Sequence, residues 1–142
     1  MTKVLIDTDV ILDFFFDRKP FSDDAARVLS LCQSGLLAGY VTPVIISNVY
    51  YLLRQTAKHE KVTEKLHQLI SLLEVLIIDK NIILHALNSG FKDFEDALQN
   101  YAAEMNGETE IILTRNVRDY KNSLLSVMTP ADLLKMRTLP QK

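Results

Sequence analysis

Short unbroken apolar runs alternate along the chain with longer stretches in which apolar residues recur every three or four positions. Val4-Leu5-Ile6 is the first such run, of the kind a strand covered on both faces shows. It stops at Asp7, and residues 8–16 mix acids with large apolar side chains. Ser22, followed by Asp23 and Asp24, reads as the N-cap and first turn of a helix through Ala25, Val28, Leu29 and Cys32, closed by Gly35. Gly39-Tyr40-Val41 predicts a second strand, and Pro43 suits the first turn of a helix over 44 to about 57. Val44, Ile45, Ile46, Val49, Leu52 and Leu53 make that helix apolar nearly all round, which predicts that it is largely buried. Next come an amphipathic helix over 62–73, a β-branched strand over 75–78, a helix over 81–89 stopped by Gly90, and another over 93–105 stopped by Gly107. Strands over 110–113 and 124–127 and a helix opening at Thr129-Pro130 complete the series, with 138–142 as a tail. Such alternation predicts one α/β domain over 1–137 with a mostly parallel sheet of four to five short strands.

Composition narrows the class. A chain of 142 residues, 48% hydrophobic and 24% charged, is a globule able to bury a core, and disordered or collagen-like readings fall away. Sixteen Lys and Arg against eighteen Asp and Glu leave a net charge of −2, so no bulk basic charge advertises nucleic acid. Cys32 stands alone, which excludes an internal disulfide and a thiolate zinc cage. Met1-Thr2-Lys3 leads straight into the first strand without a cationic leader, and no apolar run reaches the ~18 residues of a membrane span. A cytoplasmic protein is expected, with no membrane partner.

In an open parallel sheet, ligands gather outside the carboxyl ends of the strands. Polar residues just past each apolar run are therefore the candidates. Asp7, Asp9 and Asp13 follow the first run, and Thr114, Arg115, Asn116 and Asp119 follow the run ending at Leu113. The helix beginning at Asp93 carries Asp96 and Asn100 three and seven positions on, which puts all three on one face. Asn48, beside Ser47, interrupts the apolar stretch before Leu53. Several carboxylates aimed at one point repel each other unless protons or a cation neutralise them. Asp and Asn oxygens with water suit hard Mg²⁺ or Mn²⁺ rather than zinc. Such an ion activates water and stabilises charge on a phosphoryl oxygen, so metal-assisted phosphodiester hydrolysis is the chemistry implied. Structural roles compete: Asp7 as a strand end, Asp9 as a cap for a segment over 10–16, Asp93 as a cap on a helix dipole, Asn48 as the partner of a core backbone group, Asp119 in a turn. Asp13 and Asp17 read as solvated.

Val4-Leu5-Ile6-Asp7-Thr8-Asp9-Val10-Ile11-Leu12-Asp13 resembles the opening of PIN-domain nucleases. Asp93-Phe94-Glu95-Asp96-Ala97-Leu98-Gln99-Asn100-Tyr101-Ala102-Ala103 resembles their third acidic motif, and Thr114-Arg115-Asn116-Val117-Arg118-Asp119-Tyr120 their fourth. Thr129-Pro130-Ala131-Asp132-Leu133-Leu134 looks like the segment that closes the domain. Each string is weak alone, but the order and spacing hold over essentially the whole chain. The resemblance implies a three-layer α/β/α fold and acids converging on Mg²⁺ or Mn²⁺. It also implies hydrolysis of single-stranded or structured RNA. Similarity to small toxins of the virulence-associated-protein C type further implies a homodimer held in check by an antitoxin protein. Carried over residue by residue, Asp7 and Asp96 match the first and third acids, and Asp119, with Asn116 before it, the fourth; Asp93 is an extra acid. Asp7, Asn48, Asp96 and Asp119 are then the catalytic candidates, and Asp7, Asp93, Asp96, Asn116 and Asp119 the metal ligands. The departure is Asn48, which stands where the family usually places a Glu. An amide oxygen can coordinate but brings no charge and accepts no proton at neutral pH, so weaker metal binding is expected.

An acidic pocket must still attract a polyanion. Arg115, Arg118 and Lys121 around the fourth motif are candidate phosphate contacts, joined by Asp9 and Thr114 as further substrate-binding candidates. Arg54, Lys58, Lys61 and Lys65 would form one stripe on a continuous helix, which reads as a solvated face. Tyr50, Tyr51 and Tyr120 could stack on bases, although packing is the simpler role. His59, His67 and His85 lack metal-ligand spacing. Two rivals remain: a metal-weakened module that only binds RNA or protein, kept alive by Asn48, and a haloacid-dehalogenase-type phosphatase, which Asp7-Thr8-Asp9 also resembles.

Overall fold

The first apolar run becomes β1 (Thr2–Ile6), the central strand of a five-stranded parallel sheet in a computed structural model that describes residues 1–138. On one side β1 pairs with β2 (Leu37–Val41), which pairs with the two-residue edge strand β3 (Glu74–Val75). On the other side lies β4 (Ile111–Leu113), followed by β5 (Ser126–Met128). The order is β3-β2-β1-β4-β5, with Val4 level with both Gly39 and Ile111. The chain steps outward from β1 to β3 and then crosses back to β4, so the winding direction reverses between β1 and β4. The crevice outside the carboxyl ends of strands at such a reversal is where open parallel sheets bind ligands. Asp7 and Thr114 are the first residues past those two ends.

Seven helices among the described residues cover the sheet in a three-layer α/β/α arrangement. They are α1 (Thr8–Phe15), α2 (Ser22–Gln33), α3 (Pro43–Arg54), α4 (His59–Ile70), α5 (Lys80–Leu87), α6 (Phe94–Met105) and α7 (Pro130–Thr138), with a 3₁₀ turn at Val117–Tyr120. Val4, Leu5, Ile6, Ile112 and Leu113 from the sheet join Val10, Ile11, Val28, Ile45, Val49 and Leu133 from the helices in one core. Gly39 permits the closest approach to the sheet: a Cβ there would stand 2.6 Å from Leu73 Cδ2 and 2.7 Å from Cys32 Sγ. None of the helices described is long and apolar enough to cross a membrane.

The element series follows the hydrophobic pattern, with five differences. Residues 8–15 are helical; Val10, Ile11, Leu12 and Asp13 are all buried directly after β1, and their adjacency hides the usual period. Asp7, not Asp9, caps this helix. Ser22 lies inside α2 rather than at its cap; its hydroxyl donates to Asp17 Oδ1 (2.7 Å), and Asp17, exposed, turns the chain with a φ of 50°. β3 is shorter than the β-branched run because its partner β2 ends at Val41, which accepts one last bond from Leu76 N (2.8 Å). The helix expected to be buried nearly all round buries only Ile45, Val49 and Leu53, one residue per turn, and leaves Tyr51 68% exposed. Residues 139–142 of the expected tail lie outside the described residues, and Thr138 ends α7.

Candidate active site

Asp7 ends β1 and caps α1. Its Oδ1 accepts from Thr8 N (2.8 Å), satisfying a backbone donor that the helix start leaves open, and its Oδ2 accepts from the Tyr120 hydroxyl (3.1 Å). The residue is 9% exposed, and burial, then the negative charge of Asp9, push its carboxyl up to about 6. Asp9 belongs to the first turn of α1 and reaches across to the segment after β4. Its Oδ2 accepts from Arg115 N (3.1 Å), Asn116 Nδ2 (3.2 Å) and Thr114 Oγ1 (3.3 Å), while its Oδ1 is buried without a partner. Burial raises the Asp9 carboxyl as well, against those bonds.

The third acid arrives on α6. Asp93 is the cap of that helix, its Oδ1 accepting from Asp96 N (3.0 Å), so the structural role weighed for it is realised. Asp96 in the same first turn is pushed up to about 7 by burial and then by the charges of Asp7, Asp93 and Asp119, with the Tyr120 hydroxyl acting the other way. Tyr120, only 1% exposed, is thus a site residue that the sequence reading assigned to packing or stacking. Its ring closes the core while its hydroxyl steadies the Asp7 carboxylate, and burial together with the charges of Asp7 and Asp96 raises its own pKa.

Two clefts meet at Asp96. The first, about 480 Å³, is lined by Asp7, Asp9, Asn48, Glu95, Asp96, Gln99 and Asn116 among others. The second, about 520 Å³, is lined by Lys92, Asp93, Asp96, Arg118, Asp119 and Lys121. Asn116 and Asp119 therefore occupy different clefts, which spacing alone left undecided. Asn48, on α3, donates from Nδ2 to Glu95 Oε2 (3.0 Å). Glu95 was missed because the face reading followed Asp93, Asp96 and Asn100. The signal was Gln99, four positions on and on the same stripe, which accepts from Thr42 Oγ1, the side chain capping α3. Asn100 is not part of the site: it is fully buried, lines neither cleft, and donates to Glu104 Oε2 (2.8 Å).

The basic candidates separate similarly. Asp13 is not solvated but 1% exposed, and Arg115 grips it with Nε to Oδ2 at 2.6 Å and Nη2 to Oδ1 at 2.9 Å. The Arg115 guanidinium also lies 4.1 Å from the centroid of the Phe21 ring, and Arg18 stands 3.5 Å from Asp13 Oδ1. A buried carboxylate needs such partners, so Arg115 is engaged as a brace. Thr114 is fully buried, donating to Asp9 and accepting from Asn116 N (3.0 Å). The stripe through Arg54, Lys58, Lys61 and Lys65 is broken, because α3 ends at Arg54 and Lys58 sits at the cap of α4.

No group of three or more His, Cys, Asp or Glu side chains among the described residues is arranged as a cage that could hold an ion. A zinc site would need such a cage, whereas Mg²⁺ keeps several waters and uses one or two carboxylates. Asp7 and Asp96, both short of counter-charge, together with the unpartnered Asp9 Oδ1, fit a hydrated hard cation.

Comparison with known proteins agrees with the geometry. A family model described as PIN domain matches residues 3–118. Ribonuclease VapC1 of Aquifex aeolicus (strain VF5) is 30% identical over 135 residues, covering 89% of this chain and 90% of its own. Among solved structures, the toxin–antitoxin complex from Klebsiella pneumoniae superposes with a TM-score of 0.67 at 20% identity, over 89% of this chain and 97% of that one. VapBC2 from Rickettsia felis bound to a DNA fragment from their promoter gives 0.67 at 13% identity (89% and 97%). PAE2754 from Pyrobaculum aerophilum gives 0.62 at 14% identity (97% and 98%).

Proposed function

Because the chain belongs to the PIN domain family, we propose that it is an endoribonuclease dependent on Mg²⁺ or Mn²⁺ and the toxin of a toxin–antitoxin pair. The observation that carries this reading is the meeting of Asp7 and Asp96 in one cleft at the strand-order reversal, with the Tyr120 hydroxyl fixing Asp7. A ribonuclease as the 30% identical relative supports RNA as substrate, and structural neighbours solved as toxin–antitoxin complexes support an antitoxin partner; a homodimer is part of the same proposal. Such a protein acts on RNA in the cytoplasm. The phosphatase reading of Asp7-Thr8-Asp9 gains nothing from these relatives.

Asp7 and Asp96 would hold the cation, with Asp9 and Asn116 beside them in the first cleft and Asp93 and Asp119 in the second. When bound, the cation supplies Lewis acidity toward a phosphoryl oxygen and a lowered pKa for water. Tyr120 holds the Asp7 carboxylate in orientation. Asp9 holds the chain after β4 so that Asn116 faces the first cleft. Lys92, Arg118 and Lys121 offset the acids in the second cleft and give RNA phosphates a landing next to Asp96.

The test is cleavage of a mixed single-stranded RNA pool by wild type and Asp7→Asn, with Mn²⁺, Mg²⁺ or EDTA. Metal-dependent cutting that disappears in the variant is expected. Folded wild type that leaves every RNA intact would favour the binding-only alternative that Asn48 raises.

A further inference from the structure

Beside the first cleft, with Asn116 lining both, lies a smaller pocket of about 240 Å³ that metal-assisted hydrolysis does not use. Three of its walls differ in chemistry. Phe21, at the cap of α2, is 41% exposed although it is a large apolar ring. The Arg115 guanidinium, 4.1 Å from the centroid of that ring, gives two of its five N–H donors to Asp13 and keeps the others. Asp24, in the first turn of α2, is half-buried, and among the described residues no hydrogen bond or ion pair engages its carboxylate. The pocket therefore joins a flat aromatic and guanidinium surface to a free acceptor pair and free donors. An apolar body with a few convergent polar groups is the composition of a small-ligand site. Its volume lies below the roughly 300–1,000 Å³ of drug-sized sites, which suits a single planar ring system.

Resting on the nuclease reading above, we propose that this pocket takes one unstacked base of the RNA, stacked on Phe21 and Arg115, and that Asp24 makes it select guanine. Single-stranded RNA is read through splayed bases that stack on aromatic rings or guanidinium planes and are hydrogen-bonded along their edges. Guanine alone carries two neighbouring donors, N1–H and N2–H, on its Watson–Crick edge, and these match the two oxygens of a carboxylate. Its O6 and N7 are acceptors suited to arginine. Adenine and cytosine set a ring nitrogen acceptor beside their amino group, and uracil sets one N–H between two carbonyls, so each turns a lone pair toward the acid. Asn116 ties the two sites together. Its Nδ2 donates to Asp9 (3.2 Å) in the first cleft while the residue also lines the pocket, so the base is held next to the cleft that contains Asp7 and Asp96.

The experiment is fluorescence anisotropy of labelled short oligouridines with G, A, C or U at the central position, in Mg²⁺. The full chain carries Asp7→Asn so that the probes stay intact. The G-containing RNA should bind on the order of tenfold tighter than the others, the worth of a good two-bond contact to a base. Phe21→Ala should weaken that RNA by about tenfold, the worth of one stacked base. Asp24→Asn should erase the preference for G without weakening the all-uridine RNA, whereas exposed Glu60→Gln on α4 should leave the preference intact. A merely structural role for Asp24 would not change the ranking of the bases. Circular dichroism and the Tm verify that each variant is folded. Equal or absent binding of the RNAs, a preference for another base, or a G preference that survives Asp24→Asn overturns the proposal. The nuclease reading is judged separately, by metal-dependent cutting of the mixed RNA pool by wild type.

Discussion

Arg115→Ala should destabilise the protein more than Asp13→Ala, although the two remove opposite ends of one ion pair. Asp13 is 1% exposed and takes two short bonds from Arg115, at 2.6 and 2.9 Å, with Arg18 a weaker second partner at 3.5 Å. Removing one member of a buried pair leaves the other charge uncompensated and costs about 3–5 kcal/mol. In Arg115→Ala the stranded group is the buried carboxylate, relieved only by Arg18, so the lower end, about 3 kcal/mol, is expected. In Asp13→Ala the stranded group is Arg115, whose side chain is 28% exposed and turns to water, so the loss is nearer 2 kcal/mol. With an m-value of about 2 kcal/mol/M, these become drops of about 1.5 M and 1 M in the urea midpoint. The double variant completes a thermodynamic cycle, and a coupling above about 1 kcal/mol is expected for groups in direct contact. Additivity within about 0.5 kcal/mol would refute the reasoning, because it would mean that the buried acid and the guanidinium do not depend on each other. Since Arg115 N also holds Asp9 (3.1 Å), loss of the brace should in addition loosen the wall of the first cleft.

Gly39→Ala places a Cβ 2.6 Å from Leu73 Cδ2 and 2.7 Å from Cys32 Sγ, and should destabilise by about 2 kcal/mol, a fall of roughly 6 °C in Tm; an unchanged Tm would show that these side chains yield freely. Tyr120→Phe keeps the ring in the core and removes the hydroxyl from Asp7, so Mn²⁺ Kd should rise about tenfold with the fold intact, whereas an unaltered Kd would deny that the hydroxyl orients the carboxylate.

Much of the architecture was legible along the chain because a strand buried on both faces leaves a continuous apolar run, and Val4-Leu5-Ile6 and Ile111-Ile112-Leu113 are such runs. Their ends mark Asp7 and the residues after Leu113 as candidates from the sequence alone. Helix α1 was legible only as a capped segment over 10–16 with Asp9 in the place of its true cap Asp7, since Val10, Ile11 and Leu12 are adjacent and give no turn-length period. The exposed flank of α3 was equally hidden: apolar composition tells what a helix can bury, whereas the number of neighbours decides what it does bury.

Pairing across the fold is where the chain order fell silent. Asp13 and Arg115, Asn48 and Glu95, and Asp7 and Tyr120 lie 102, 47 and 113 positions apart, and no local pattern links them. Whether an acid is solvated, braced or poised depends on which distant group the parallel crossovers bring to it. Local periodicity therefore determined the strands, most helices and the positions where chemistry gathers. Only the tertiary structure decided that Asp13 is neutralised by an arginine, that Asp7 is held by a tyrosine, and that Glu95 faces Asn48, because charge and burial are properties of a neighbourhood rather than of a residue.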